Sequence, residues 1–453
     1  MLSFYIFLFI FFIDVSATID RNLAIFFYSL IPGFYYLEKC FRNEIFFIPK
    51  NNAFISYLIF ILISFICFLF SVDRINTIDH LFFYITAFFI LIIAFNEKEK
   101  ILKKIKLVLI ILGLILCLFS LLPKEIFFYT PYQLIYSFYR SHNHLGDFLG
   151  MVMVWLFYDW LNKKNKKDLI VFFLFLPFFL FSFSRSAYLD FLIIGGVIFF
   201  TSKKANFKLK KVSLLIFITI SLFFITTQKE IYQIKPLNQI TFLIKKIINF
   251  EPHAFFSGRP EYFYQGIKGF LEKQFFGWGL GNYIYLSQKY VSQNLQQVNS
   301  ALNLPITMLA EVGIFGFFCF FIFLVFLIKN INYQEKPVYF LFFYLSLNFL
   351  TDYTYSIYGL FLFWFLLLGL SLKEKKANLA NLYPLFSLPF SIFIFLKING
   401  LIFTHIGFPS LGFYFFPFNH QTYQELINQK TNEGDIIEAK KLAESYYKNS
   451  SMS

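Results

Sequence analysis

The chain is short of charge, of cysteine and of acid. Only 15% of its 453 residues are Asp, Glu, Lys or Arg, against roughly 25% in an average soluble protein. With 58% hydrophobic residues and a mean hydropathy of +0.63, that deficit excludes a soluble globule. Too little polar surface exists to cover the apolar bulk. The four Cys (Cys40, Cys67, Cys117 and Cys319) match neither a metal site nor a disulfide framework. Three of them lie inside apolar runs and read as small core residues. Acidic residues number 26 against 40 basic ones, a net charge of +14. Such an excess can mark a nucleic-acid binder, but here the Lys sit in short clusters between apolar segments. That is the pattern of cytoplasmic loops in a multi-pass membrane protein. The 73 Phe carry no functional argument, since usage rich in Phe, Ile, Lys and Asn is also what an A+T-rich genome encodes.

What is present is a series of apolar runs, each near the length that spans hydrocarbon, about 20 residues. Candidate spans are 3–18, 23–38, 52–71, 80–95, 107–122, 145–160, 169–183, 187–201, 212–226, 302–328, 337–351, 355–371 and 384–399, the last interrupted by Pro384 and Pro389. The first run has no basic leader region and no cleavage site, so it reads as a membrane helix rather than a signal peptide. Loops 39–50, 96–106, 161–168, 202–211, 329–336 and 372–376 together hold 22 Lys and Arg. The short loops between them hold only Arg21, Arg74, Lys124, Arg140 and Arg185. The basic set belongs to the cytoplasm. The amino terminus is then cytoplasmic, and the 75-residue loop 227–301 is outside. Backbone groups in hydrocarbon must be satisfied internally, and these runs are too apolar for a barrel. The expected fold is all-α: a polytopic transmembrane helical bundle of 12 or 13 spans with one large periplasmic loop. It divides into a membrane domain, 1–416, and a polar helical tail, 417–453, patterned as two helices.

Polar residues meet the outer surface in three places. One runs from Tyr139 and Arg140 through His142, Asn143 and His144 into a span. Another is the turn Ser182-Phe183-Ser184-Arg185-Ser186. The third starts at Gly258-Arg259-Pro260, passes Gly277-Trp278-Gly279-Leu280-Gly281-Asn282, and reaches Asn303 and Glu311-Val312-Gly313. Arg185 stands in a turn too short to leave the interfacial region, and Glu311 lies within a span. Ionisable groups at such depth pair internally or mark a function. Arg185 also reads as a side chain snorkelling to lipid phosphates and Glu311 as a structural partner for an Arg, while from charge alone Arg259 reads as a solvated loop charge. Arg side chains on the outer face suit a diphosphate, because the guanidinium offers a fixed fork of donors and never deprotonates. A polyprenyl-diphosphate headgroup emerges at that level, and stabilising the leaving diphosphate could drive a glycosyl transfer. No Asp-x-Asp pair occurs in the outer loop, so neither metal nor cofactor is expected.

In their order, spacing and shared side, these elements resemble the O-antigen ligase and O-antigen polymerase superfamily over roughly residues 140–320. The resemblance implies an enzyme of the inner membrane acting at its periplasmic face, independent of metal. Such an enzyme moves a glycan from an undecaprenyl-diphosphate carrier to an acceptor hydroxyl, such as that of lipid A-core. It implies that Arg185 and Arg259 hold the diphosphate; Arg140 is the further candidate beside them, and His142, Asn143 and Ser184 are candidate pocket residues. The family's loop carries a His immediately before the Asn that corresponds to Asn303. This chain has Leu302 there, and Leu cannot take a proton. His253, His142, His144 and Glu311 are the candidate replacements, with His253, Glu311 and Asn303 set as the catalytic group. An imidazole titrates near pH 6.5, which suits base work, but taken singly each His reads first as an ordinary interfacial or hydrogen-bonded one. The expected partners are the lipid-linked donor, a glycolipid or glycan acceptor and membrane lipids, and no nucleic acid. A polymerase or a protein O-oligosaccharyltransferase of the same superfamily are alternatives. A polysaccharide or lipid transporter is the alternative of another class, and would show internal repeats that are not found here. A scaffold would need neither Arg.

Overall fold

A computed structural model describes residues 21–42, 47–49, 52–121, 142–202, 207–226, 259–291, 297–332, 336–373, 376–378 and 383–450. The expected span 3–18 lies outside them, as do Arg140 and His253. Each of the other twelve expected spans coincides with a helix. In chain order the elements are α1 (Arg21–Phe41), β1 (Phe47–Pro49), α2 (Asn52–Leu69), α3 (Arg74–Asn96), α4 (Lys98–Leu102), α5 (Ile105–Ser120), α6 (His142–Lys163), α7 (Lys166–Phe181), α8 (Arg185–Thr201) and α9 (Phe207–Thr226). There follow α10 (Arg259–Glu272), α11 (Tyr283–Tyr290), α12 (Leu304–Lys329), α13 (Lys336–Thr351), a 3-10 turn (Thr354–Ser356), α14 (Tyr358–Ser371), β2 (Lys376–Asn378), α15 (Tyr383–His405), α16 (Pro409–Phe415), α17 (His420–Asn432) and α18 (Ile436–Ser450). The protein is an all-α membrane protein; the two short strands form a single antiparallel pairing, Phe47 opposite Asn378.

By length and composition, α2, α3 and α12 can cross a membrane, and α5 and α14 are shorter apolar helices. The higher count expected from sequence rests on helices that are shorter or carry more polar residues. The polarity of α2 shows its solvent. Tyr57, Phe60, Ser64 and Cys67 face inward, while Ile55, Ile59, Leu62, Ile66 and Leu69 face outward at helical spacing. Hydroxyls inside and aliphatics outside reverse the rule of a water-soluble helix, and the reversal fits lipid.

The chain divides into two compact units. The first takes in the described residues of 97–259 and 332–371. Its central helix α6 is buried on all sides from His144 to Leu161 apart from Tyr158. Gly150 permits α13 to lie against it, since a Cβ there would fall 2.1 Å from Tyr344 Oη. At the lower end Lys106 bridges Asp159 at 2.6 Å and Asp168 at 2.7 Å.

The second unit takes in the described residues of 19–96, 260–331 and 372–453. In it α12 packs on α2 through the Tyr57–Phe323 and Phe60–Phe320 ring contacts. Helix α15 runs from the β1–β2 ladder to the tail and packs on α1, and its Lys397 pairs with the buried Asp79 of α3. The tail folds as the hairpin α17–α18 and docks on this unit: His420 Nε2 lies 3.1 Å from Asp73 Oδ2, and Tyr446 Oη 3.0 Å from His420 Nδ1.

Within each unit, several connecting segments meet one another. Loop 39–50 pairs with the segment after 372, loop 96–106 with 161–168, and Asn330 with Lys373. In the second unit residues 71–77 bond to 278–282, and in the first the 182–186 turn bonds to His142 and Asp352.

Candidate functional site

The first unit gathers polar side chains where α6, the α7–α8 turn and the segment after α13 meet. Three residues connect α7 to α8. So tight a reversal takes a left-handed residue, and Phe183 adopts φ 51° there although bulky side chains are disfavoured in that region. Ser184 then caps α8, its Oγ accepting from the Ala187 amide at 3.4 Å, one of the orphan donors of a helix start. Gly146 of α6 allows the turn to seat: a Cβ at that position would lie 2.5 Å from Ser182 Oγ and 2.6 Å from Ser184 Cβ.

His142 and Asn143, both partly exposed, form the first turn of α6. His142 Nδ1 lies 2.6 Å from the Ser182 carbonyl oxygen. A carbonyl only accepts, so Nδ1 carries the proton, and in the neutral ring Nε2 holds the lone pair. Arg185, partly exposed, is the first residue of α8.

The hub of the site is Asp352, which is 1% exposed. Its Oδ2 accepts from Ser186 Oγ at 2.9 Å and from Arg259 Nη2 at 3.2 Å, and its Oδ1 from the Tyr353 amide at 2.7 Å. Ser186 Oγ is in turn 3.2 Å from Ser184 Oγ. One carboxylate thus ties Arg259 to the turn that carries Arg185. Below it lies a buried knot. Asn348 Nδ2 donates to Asp147 Oδ1 at 2.8 Å and to Asp190 Oδ2 at 2.9 Å, and Thr354 donates to Asp147 Oδ2 at 2.7 Å. His144 Nδ1 is 3.7 Å from the same Asp147 oxygen.

Reading the sequence for outward-facing Arg and His missed Asp147, Asp190, Asn348 and Asp352. The signal was present: three Asp inside or at the ends of apolar runs, where an acid is costly and is kept only with partners.

Asn303 and Glu311 belong to the second unit. Asn303 is the N-cap of α12, its Oδ1 accepting from the Ile306 amide at 3.0 Å. The preceding Leu302 stands at φ 55°. Helix α12 breaks at Gly313 (φ 64°, ψ −169°). Carbonyls freed by the break are taken up by the glycine-rich loop: Trp278 N donates to Ala310 O at 3.0 Å and Gly279 N to Glu311 O at 2.8 Å. Ile314 N donates to Gln274 O at 2.8 Å. Gly277 has to be glycine, since its φ is +68° and a Cβ would lie 2.4 Å from the Glu311 carbonyl. The Glu311 carboxylate accepts from the Tyr283 amide at 3.3 Å, at the start of α11, where the helix dipole favours an anion. The two glycine motifs are thus halves of one lock. Close by, burial and a hydrogen bond to Asp73 push the Tyr285 phenol up, keeping it a donor.

Of the residues expected in the site, the structure brings together His142, Asn143, Ser184, Arg185 and Arg259. Among the described residues no three His, Cys, Asp or Glu are grouped to hold a metal ion. No curated protein matches the chain. Residues 170–321, a stretch that contains Arg185, Arg259, the glycine-rich loop, Asn303 and Glu311, match the family model described as O-antigen ligase, so that this part of the chain is similar to that family.

Proposed function

We propose that the protein transfers a glycan from an undecaprenyl-diphosphate carrier to an acceptor hydroxyl at the periplasmic face of the inner membrane. The observation that carries this reading is the Asp352 hub, which ties Arg259 to the Ser184-Arg185-Ser186 turn, both of which lie within the matched residues 170–321. Arg185 and Arg259 hold the diphosphate, joined by Arg140. Asp352 restrains the Arg259 fork before the donor arrives, which lowers the ordering cost of binding. The acceptor oxygen attacks the anomeric carbon, the bond from that carbon to the diphosphate oxygen breaks, and the diphosphate leaves with the electron pair. His142 takes the acceptor's proton on Nε2, the nitrogen its tautomer leaves basic. Asn143 and Ser184 line the pocket. His253 is a second candidate base, and Asn303 and Glu311 remain candidates for the catalytic group.

Polymerisation, in which the acceptor is itself a growing lipid-linked glycan, is favoured by one observation. Leu302 occupies the place of the ligase His. The test is the surface glycolipid profile of a strain lacking the gene, complemented with wild type, Arg185→Ala or Arg259→Ala. A ligase leaves long chains stranded on the polyprenyl carrier when either Arg is lost. A polymerase leaves single repeat units on the final acceptor. A wild-type profile from both variants refutes the transferase.

A further inference from the structure

Helix α10 is built inside out. The face it turns into the second unit is made of Gln265, Gly266 and Gly269, all buried. A Cβ on Gly266 would lie 2.5 Å from Ile306 Cγ2, and one on Gly269 only 1.7 Å from Leu286 Cδ1, so the backbone itself rests on α11 and α12. The opposite face carries Tyr264, Ile267 and Leu271, which are 51%, 46% and 54% exposed. They recur at i, i+3 and i+7, a single stripe. A helix in water hides its large apolar residues and shows its small ones. Here the large ones are outward.

The stripe does not end with the helix. Phe275, 61% exposed, follows it and stacks on Phe315 at 5.8 Å. Phe315 belongs with Phe318, Phe321 and Ile322 to the outward apolar face of α12, a helix long and apolar enough to cross a membrane. The exposed face of α10 is therefore continuous with a lipid-facing surface. At 14 residues, α10 is about 21 Å long, too short to cross about 30 Å of hydrocarbon. Its flank carries the groups that prefer the headgroup layer: Lys268 Nζ lies 5.5 Å from the centre of the Tyr264 ring. Aromatic rings and long basic side chains anchor at that depth.

We propose that α10 lies along the membrane surface, with Tyr264, Ile267, Leu271 and Phe275 inserted into the lipid leaflet on the side of loop 227–301. The occupant of this face is the bilayer rather than a protein. Arg259 opens the helix, so the seating also sets the level at which the chain enters it. The inference does not depend on the transferase reading.

The test uses the full-length protein in proteoliposomes with Tyr264→Trp, Ile267→Trp or Leu271→Trp. The four native Trp are buried and give a constant background. Glu272→Trp is the control, because Glu272 faces away toward Lys289 and Tyr290. Tyr264→Trp is the mildest change and reports even where the others fold poorly. Phospholipids brominated near the headgroup end of the acyl chain should remove most of the added emission at 264, 267 and 271, while aqueous iodide leaves it. At 272 the order should reverse. Quenching of 264, 267 and 271 by iodide and not by brominated lipid would place the stripe in water and overturn the proposal. Protection from both quenchers would mean a protein cover, such as a second copy, and would overturn it too.

Discussion

Asp352 is the residue on which the candidate site turns. It is buried, its Oδ2 accepts from a hydroxyl and a guanidinium, and its Oδ1 from a backbone amide. An Asn in its place keeps the shape and loses the charge that holds Arg259. Asp352→Asn is therefore expected to raise the KM for lipid-linked donor more than it lowers kcat, while Arg259→Lys keeps a charge without the fork. Each should cost about tenfold in kcat/KM, near 1.4 kcal/mol, measured as transfer by purified protein in proteoliposomes. His142 separates from these. Removing a general base costs about 10²- to 10⁴-fold, so His142→Gln should cut kcat on that scale with donor binding retained. A loss below tenfold would pass the role to His253 or another group. His142, Arg185 and Arg259 are legible as chemistry in the sequence. Asp352 is not, because an Asp at a helix end has many ordinary readings until its partners, 166 and 93 residues away in the chain, are in place.

Among the elements, the break in α12 shows how local sequence and tertiary contact divide the work. Gly313 permits the broken backbone, but freed carbonyls inside a membrane protein must find donors. The glycine-rich loop supplies them at Trp278 and Gly279. Gly277→Ala should lower thermal stability by at least the cost of a left-handed non-glycine residue, about 1–2 kcal/mol, with the clash against Glu311 added. Gly33→Ala is the contrast. Nothing lies within 4 Å of its added Cβ, and Ala in a helix should gain about 0.5–1 kcal/mol. Melting of the two variants in detergent checks the pair. Both glycine motifs are visible in the sequence as a resemblance, yet their shared purpose is not. The Glu311 that chemistry singles out is held by the Tyr283 amide, a contact no spacing rule contains.

At the scale of the whole molecule, polar groups inside the second unit test how it is assembled. Lys397 and Asp79 are both buried and pair with each other across α15 and α3. This pairing explains how a helix carrying Lys397 lies among apolar neighbours. Removing one partner of such a pair costs about 3–5 kcal/mol, while replacing both with neutral groups of similar volume is near neutral. Lys397→Met alone should therefore melt early, and the double variant Asp79→Asn with Lys397→Met should recover most of the loss. Additive losses would show that the two do not act as a pair.

Composition alone excluded a soluble protein, and the alternation of basic loops gave an expected sorting of the helix ends into two sides. Both follow from local physics: the length of an apolar run against the thickness of hydrocarbon, and the placement of Lys and Arg beside it. Among the described residues, twelve helices stand where the apolar runs are. Only the tertiary structure decided which polar residues meet. It joined Asp352 to Ser186 and Arg259, set Asn348 between Asp147 and Asp190, docked His420 of the tail on Asp73, and turned the large apolar side chains of α10 outward. Such meetings depend on the register and rotation of helices far apart in sequence, which periodicity leaves open. A buried polar group must find a partner wherever the packing brings one within reach.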